Sequence, residues 1–349
     1  MLASPFLLLL LSLTYSQNLQ SGIFSIEKRL SLFAFPVIFC TVPALDGSSK
    51  RFLYQLQCYA ASAASAVCLV IAALRYGSGV KEAFFWKQFT NILNFNPLYF
   101  SVFMCIALTW CFVQLEEVVQ HKAQQSKIAL SIQIILIEVS ILFSSSKIGL
   151  AISAIIMLYY GSRILRYSAT TSYIILLALV GSVLWVILNG SVLERFVRAS
   201  NFHYSLSAPT SSFNELTNRL ALIECSWLVA KDHLLVGVGI GDAQDELDRV
   251  FRSVDYKFGY MDRQNPHNEY LSQLISTGML GLIIFLICYF YYIRKSLMRG
   301  NPYGVAFLVI FAIACMVESM LARHKGIVFF GLFNSLFFVT ADTETRVGS

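Results

Sequence analysis

Long apolar runs decide what this chain can become. They lie at about 2–15, 30–45, 52–76, 97–115, 128–143, 148–162, 171–188, 270–293, 302–320 and 326–340. Bilayer hydrocarbon is about 30 Å thick, and a helix crosses it with about 20 apolar residues. Lipid offers no partner to a backbone N–H or C=O, so a spanning run must be helical. The pattern predicts an all-α, polytopic transmembrane helix bundle of about ten spans, several of them short. Pro36 and Pro43 make the second run irregular or kinked. The first run, Leu2 to Tyr15, has an apolar core without a positive leader, which argues against a signal peptide. It is expected to be a span or part of one.

Composition agrees. Of 349 residues, 57% are hydrophobic and 13% charged, against roughly 25% charged in soluble domains. Mean hydropathy is +0.65. Length alone would suggest two or three soluble domains; the apolar runs replace that reading with one multi-span bundle. The net charge of +6 is modest and no soluble basic face appears, which excludes nucleic acid as a partner. Of eight cysteines, only Cys225 lies in a long polar segment, and no pair has metal or disulfide spacing. They read as small buried hydrophobes. No cofactor and no metal are expected.

Asn189 to Pro266 differs from the rest. It is polar, with eight Lys/Arg against ten Asp/Glu. The expected organisation is an N-terminal membrane bundle over 1–188, a loop with an amphipathic helix over 189–268, and C-terminal membrane helices over 269–349. "GSRILRYS" before the loop's preceding span and "RKSLMRG" after the following one are basic. Positive flanks favour the cytoplasm, so the loop is expected outside and both termini inside. Within it, "NELTNRLALIECSWLVAKDHLL" reads as a helix capped by Asn214. Leu216, Leu220, Ile223, Trp227 and Leu234 form its apolar stripe. Such a helix would lie on the membrane surface or against the mouth of the bundle.

This topology collects cations on the outer side, against the usual bias. Lys147 sits in "SSSKIGL", Arg219 on the loop helix, Arg263 four residues before His267, and Arg323, His324 and Lys325 in "ARHKG". A bound anion such as a diphosphate headgroup would explain them, because guanidinium grips phosphate oxygens with paired donors and lysine adds a point charge. Snorkelling or solvated loop charge is the plain alternative. His267 stands where a polar loop enters an apolar helix. There an imidazole can take a proton from a hydroxyl nucleophile, although a lone histidine is more often structural.

Other motifs carry less. "VGVGIGD" lacks the strand and helix of a dinucleotide site and reads as a flexible turn. "DAQDELD" offers oxygen ligands but does not match a calcium loop. "HNEYL" is not a zinc motif. Glu138 lies within an apolar run, where an acid is functional by default, or simply pairs with Lys147.

His267, Asn268, nine residues, then Gly278 and Gly281 fit a His–Asn–nine–Gly–two–Gly signature. With "NRLALIECSWLVAKDHLLVGVGIGDAQDEL" and "ESMLARHKGIVFFGLFNSLFF", the chain resembles the O-antigen ligase and polymerase superfamily from about Ser144 onward. The resemblance implies a metal-independent membrane glycosyltransferase. It would move a glycan from an undecaprenyl-diphosphate carrier to an acceptor hydroxyl, on a lipid core or another glycan. The place implied is the outer face of the bacterial cytoplasmic (inner) membrane. It makes His267 the catalytic histidine and Arg219 the arginine that contacts diphosphate; Arg323, Lys147 and Arg263, by their charge and place on the outer side, are expected to support Arg219. Lys147 stands where many members have arginine, which keeps the charge without the paired grip. Such members commonly have about twelve spans, so an N-terminal pair is expected to be missing. Gly278 and Gly281 read as small residues on one helix face, permitting close helix approach.

Three rivals stand beside a ligase. A polymerase extends glycan with glycan, and no residue here separates the two. A secondary transporter would want repeats, mid-membrane charge and short loops. A non-enzymatic membrane protein needs none of these residues.

Overall fold

The structure is a computed structural model, and it describes residues 3–43, 45–120, 126–190, 192–194, 206 and 215–339. Among them there is no strand. The helices are α1 (Ser4–Ser12), α2 (Leu19–Arg29), α3 (Ser31–Thr41), α4 (Gly47–Gly77), α5 (Trp86–Thr90), α6 (Pro97–Val119), α7 (Lys127–Ser144), α8 (Lys147–Ile164) and α9 (Ala169–Leu188). They continue with α10 (Glu215–Asp232), α11 (Ala243–Ser253), α12 (Lys257–Met261), α13 (Glu269–Met298), α14 (Pro302–Cys315) and α15 (His324–Val339).

All ten apolar runs contain helix, but among the described residues six helices are long and apolar enough to cross a membrane: α4, α6, α7, α8, α9 and α13. Ser4–Tyr15, Pro302–Cys315 and His324–Phe338 are apolar and shorter. Short polar side chains set many of the starts. Asn18, Asp46, Asn96, Ser126, Ser146, Ser168, Asn268 and Asn301 each accept a backbone N–H from the first turn of the following helix. These oxygens satisfy donors that a helix start leaves free. The run 30–45 yields only Ser31–Thr41, with Pro36 inside the helix. The run 302–320 stops being α-helix at Cys315 and continues through a 3-10 turn at Met320–Ala322.

The chain divides into two compact units. One comprises Met1–Ala44, Phe196–Gly304 and Phe311–Ser349; the other Leu45–Arg195 and Val305–Ile310. Grouping in space thus departs from order along the chain, because the first three helices belong with the loop and the C-terminal helices. In the second unit α6 is buried along nearly its whole length, and α7 and α8 pack on it. Cys58, Cys68, Cys105 and Cys111 are buried there, as small apolar side chains.

In the first unit α10 packs on α11 and on the start of α13. Ala221, Leu222, Cys225, Val229 and Ala230 of α10 meet Leu247 and Phe251 of α11, Tyr256, and Leu274 and Ile275 of α13. This corrects the expected stripe. Ile223, Trp227 and Leu234 are exposed, and the buried face is the one with small side chains. Close packing of α10 onto its neighbours favours alanine, cysteine and serine over tryptophan on that face. Asn214, expected as the cap, lies outside the described residues.

Candidate functional site

His267 is placed by a tight turn. Its φ is 46°, and its N–H donates to Asn265 Oδ1 at 2.9 Å. A non-glycine residue rarely holds that conformation, and such strain clusters at functional sites. The next residue, Asn268, caps α13 through Leu271 N at 3.0 Å. Its amide Nδ2 donates to Met316 O, also at 3.0 Å. The histidine therefore enters a rigid helix start that is tied to the α14–α15 connection.

That connection supplies the partner the sequence reading did not name. Glu318 places both carboxylate oxygens against His267 Nδ1, at 3.1 and 3.0 Å. The Glu318 side chain is 6% exposed and that of His267 is 23% exposed. A carboxylate at Nδ1 fixes the tautomer with the proton there and leaves Nε2 as the working nitrogen. Nε2 lies 3.0 Å from the side-chain amide of Gln264. That amide suits both ring states. Its oxygen accepts from a protonated Nε2, and its nitrogen, after a half-turn, donates to a neutral one. One signal in the sequence pointed at Glu318: an acid inside the apolar run 302–320, the same cue that singled out Glu138.

Further hydrogen bonds fasten the connection. Ser272 and Ser319 hydroxyls meet at 2.8 Å, and Leu321 N donates to Glu269 Oε2 at 2.8 Å. Glu269 is buried, accepts from Gln273 Nε2 at 2.9 Å, and interacts electrostatically with Arg29 of α2. Tyr270 donates to Ala312 O at 3.0 Å. Arg219 of α10 reaches the same stretch, donating from Nη1 to Val317 O at 3.1 Å, with Glu215 3.6 Å from its Nη2. Arg219 and His267 thus touch adjacent residues, Val317 and Glu318, although 48 positions separate them in the sequence.

The other predicted cations stand on three different segments. Arg323 is exposed at the end of the 3-10 turn, where α15 begins with His324 and Lys325. Arg323 and Lys325 put positive charge at the N-terminal turn of this helix, a place where backbone N–H groups also favour an anion. Arg263, expected near diphosphate, is held at 3.0 Å by Asp245 and at 3.1 Å by Asp248. Its charge is matched by two carboxylates, so it acts as a clip. With Gln244, which donates to Gln264 O at 3.2 Å, it fastens the turn carrying Gln264 and His267 onto α11. Lys147 belongs to the second unit, at the first position of α8 after the buried Ser144–Ser146 turn. Glu138, in that unit, accepts from Ser153 and Ser182 hydroxyls at 3.4 and 3.3 Å.

The acids of "DAQDELD" are similarly engaged. Asp242 accepts from Gln17 N and Asn18 N at 2.7 and 2.8 Å, and Glu246 pairs with Arg249. Among the described residues no group of histidine, cysteine and acidic side chains could hold a metal ion.

The glycines do something other than helix packing. Gly278 breaks α13, with φ 67° and ψ −171°. A Cβ there would lie 2.3 Å from Leu235 O, and one on Gly237 would lie 2.5 Å from Ile275 O. The close approach is between the "VGVGIGD" turn and the broken backbone. Val238 N donates to Ile275 O at 2.8 Å and Met279 N to Leu234 O at 2.7 Å. Gly281 instead leaves room for Thr277 of its own helix. Backbone at φ 67° and ψ −171° is essentially a glycine conformation, and the exposed carbonyls beside it take loop N–H groups as partners.

Residues 132–286 match the family model described as O-antigen ligase, just under half of the chain. The match spans Arg219, His267, Gly278 and Gly281, and ends before Glu318. No curated protein matches the chain.

Proposed function

We propose, taking the chain as a member of the O-antigen ligase superfamily, that it transfers a glycan from a polyprenyl-diphosphate carrier to an acceptor hydroxyl. The family match and the apolar helices support a bacterial membrane protein. The finer reading puts it in the cytoplasmic membrane with His267 facing outward. One observation carries the reading: Arg219 and His267 meet on Val317 and Glu318, so a cationic group and an oriented imidazole share one loop.

The acceptor oxygen bonds to the anomeric carbon, the bond from that carbon to the diphosphate oxygen breaks, and diphosphate leaves with the electron pair. The acceptor proton passes to His267 Nε2, and Glu318 stabilises the imidazolium that forms. Negative charge grows on the leaving group, and fixed positive groups aimed at it lower the barrier. Arg219 is the leading candidate and Arg323 the second. Because diphosphate leaves readily, charge stabilisation is expected to outweigh the base, whose help is typically about 10²–10⁴-fold.

Purified protein supplied with a lipid-linked donor tests this. His267→Ala and Arg219→Ala should each abolish transfer while inserting normally into membrane. Full transfer by both variants refutes the assignment. The acceptor that accumulates in a deletion strain sorts ligase from polymerase: bare lipid core for the former, single-repeat caps for the latter.

A further inference from the structure

We infer that the turn Leu234–Val236, with the Ile223 and Trp227 face of α10, sits in the bilayer at its loop-side boundary, with lipid hydrocarbon as its partner. The turn is apolar and exposed, Leu235 by 71%, and Trp227 on the preceding helix by 50%. Isolated exposed leucines mean little, but this patch does not end at the turn. Leu234 and Leu235 carbonyls accept from Met279 N and Leu280 N at 2.7 and 3.3 Å. Leu280, Ile283, Ile284 and Ile287 then carry the exposed apolar surface along α13, one of the helices able to cross a membrane. The patch is thus continuous with the lipid-facing side of a span.

Depth follows from length. Ile293 is the last residue of α13 before Arg294 and Lys295. Counting back about 20 residues, the length that crosses the hydrocarbon, puts the outer boundary near Leu274. The break at Gly278 then lies about 6 Å inside it, at 1.5 Å per residue. Irregular backbone at that depth needs internal partners. Here Gly237 N donates to His233 O, Val238 N to Ile275 O and Gly239 N to Ser276 O. No charged side chain lies between Leu234 and Gly241. Lys231, Asp232 and His233 on one side and Asp242 on the other mark where the chain leaves the apolar layer. Trp227 and Tyr15, which donates to Val236 O, are aromatics of the kind found at membrane interfaces.

This seating sets the height of α10, and hence of Arg219 at its start, beside the headgroup layer. On the proposed function, a diphosphate borne by a lipid would reach the site by lateral motion. The seating itself does not depend on that function.

Spin-label accessibility in nanodiscs tests it without any transfer assay. In a Cys40→Ser background, nitroxide is attached at Leu235→Cys, with Phe290→Cys as the lipid reference and Arg249→Cys as the water reference. Oxygen should relax the label at 235 more than a nickel chelate does, as at 290. A preference for the chelate, as at 249, overturns the inference, and so does protection from both reagents. Val236→Cys gives the same reading should Leu235→Cys not fold.

Discussion

His267 Nδ1 lies 3.0 Å from a carboxylate oxygen of Glu318, a residue 51 positions further along the chain. Around this pair the α14–α15 connection is stapled to the start of α13 by Asn268, Ser272 and Glu269. Imidazole orientation therefore depends on two segments that are far apart in sequence.

Glu318→Gln keeps the size of the side chain and loses its charge. Transfer should fall by at least about tenfold, because the imidazolium loses its stabilising partner. Glu318→Asp should recover part of the rate. Wild-type turnover in Glu318→Gln would remove Glu318 from the mechanism.

Arg219→Lys separates charge from geometry. Lysine keeps a positive charge but cannot donate to Val317 O and grip diphosphate with paired donors at once. Turnover with the lipid-linked donor should drop close to that of Arg219→Ala. Wild-type turnover in Arg219→Lys would mean that a point charge suffices.

Arg263→Gln should leave turnover within about threefold of wild type, because its partners are Asp245 and Asp248. It should lower stability by roughly 1 kcal/mol, as exposed ion pairs do. Thermal unfolding in detergent and an initial-rate assay check both. A large rise in KM for the donor would instead restore Arg263 to the diphosphate site.

Gly278→Ala should be severely disruptive. The backbone is left-handed and the new Cβ would meet Leu235 O at 2.3 Å. Strain at such a position costs more than about 1 kcal/mol before the collision is counted. The melting temperature should fall, and transfer with it, through displacement of the glycine turn. Gly300→Ala, also at positive φ but with open space around it, should cost only the conformational part.

Cys225 is fully buried in the loop core, and burial beside Glu224 pushes its thiol up to about 12. The thiolate is the reactive form. Maleimide should spare Cys225 in the folded protein at neutral pH and modify it on unfolding, as peptide mass spectrometry can read.

Apolar runs made the helices legible, since lipid leaves no alternative to internal hydrogen bonding, and short polar caps marked many of the starts. His267 and Arg219 were legible as candidates because each stands out chemically from its surroundings. Their spacing in the sequence could not say that Val317 and Glu318 bring them to one loop. Nor could it say that Arg263 is spent on Asp245 and Asp248, or that Ile223 and Trp227 turn away from the packed face of α10. The amino-acid order by itself determined which segments are helical and which residue types are available for charge and proton transfer, because those follow from local periodicity and side-chain chemistry. Tertiary structure alone decided which carboxylate answers which cation and which glycine breaks a helix. Those outcomes depend on contacts between segments whose meeting no local pattern encodes.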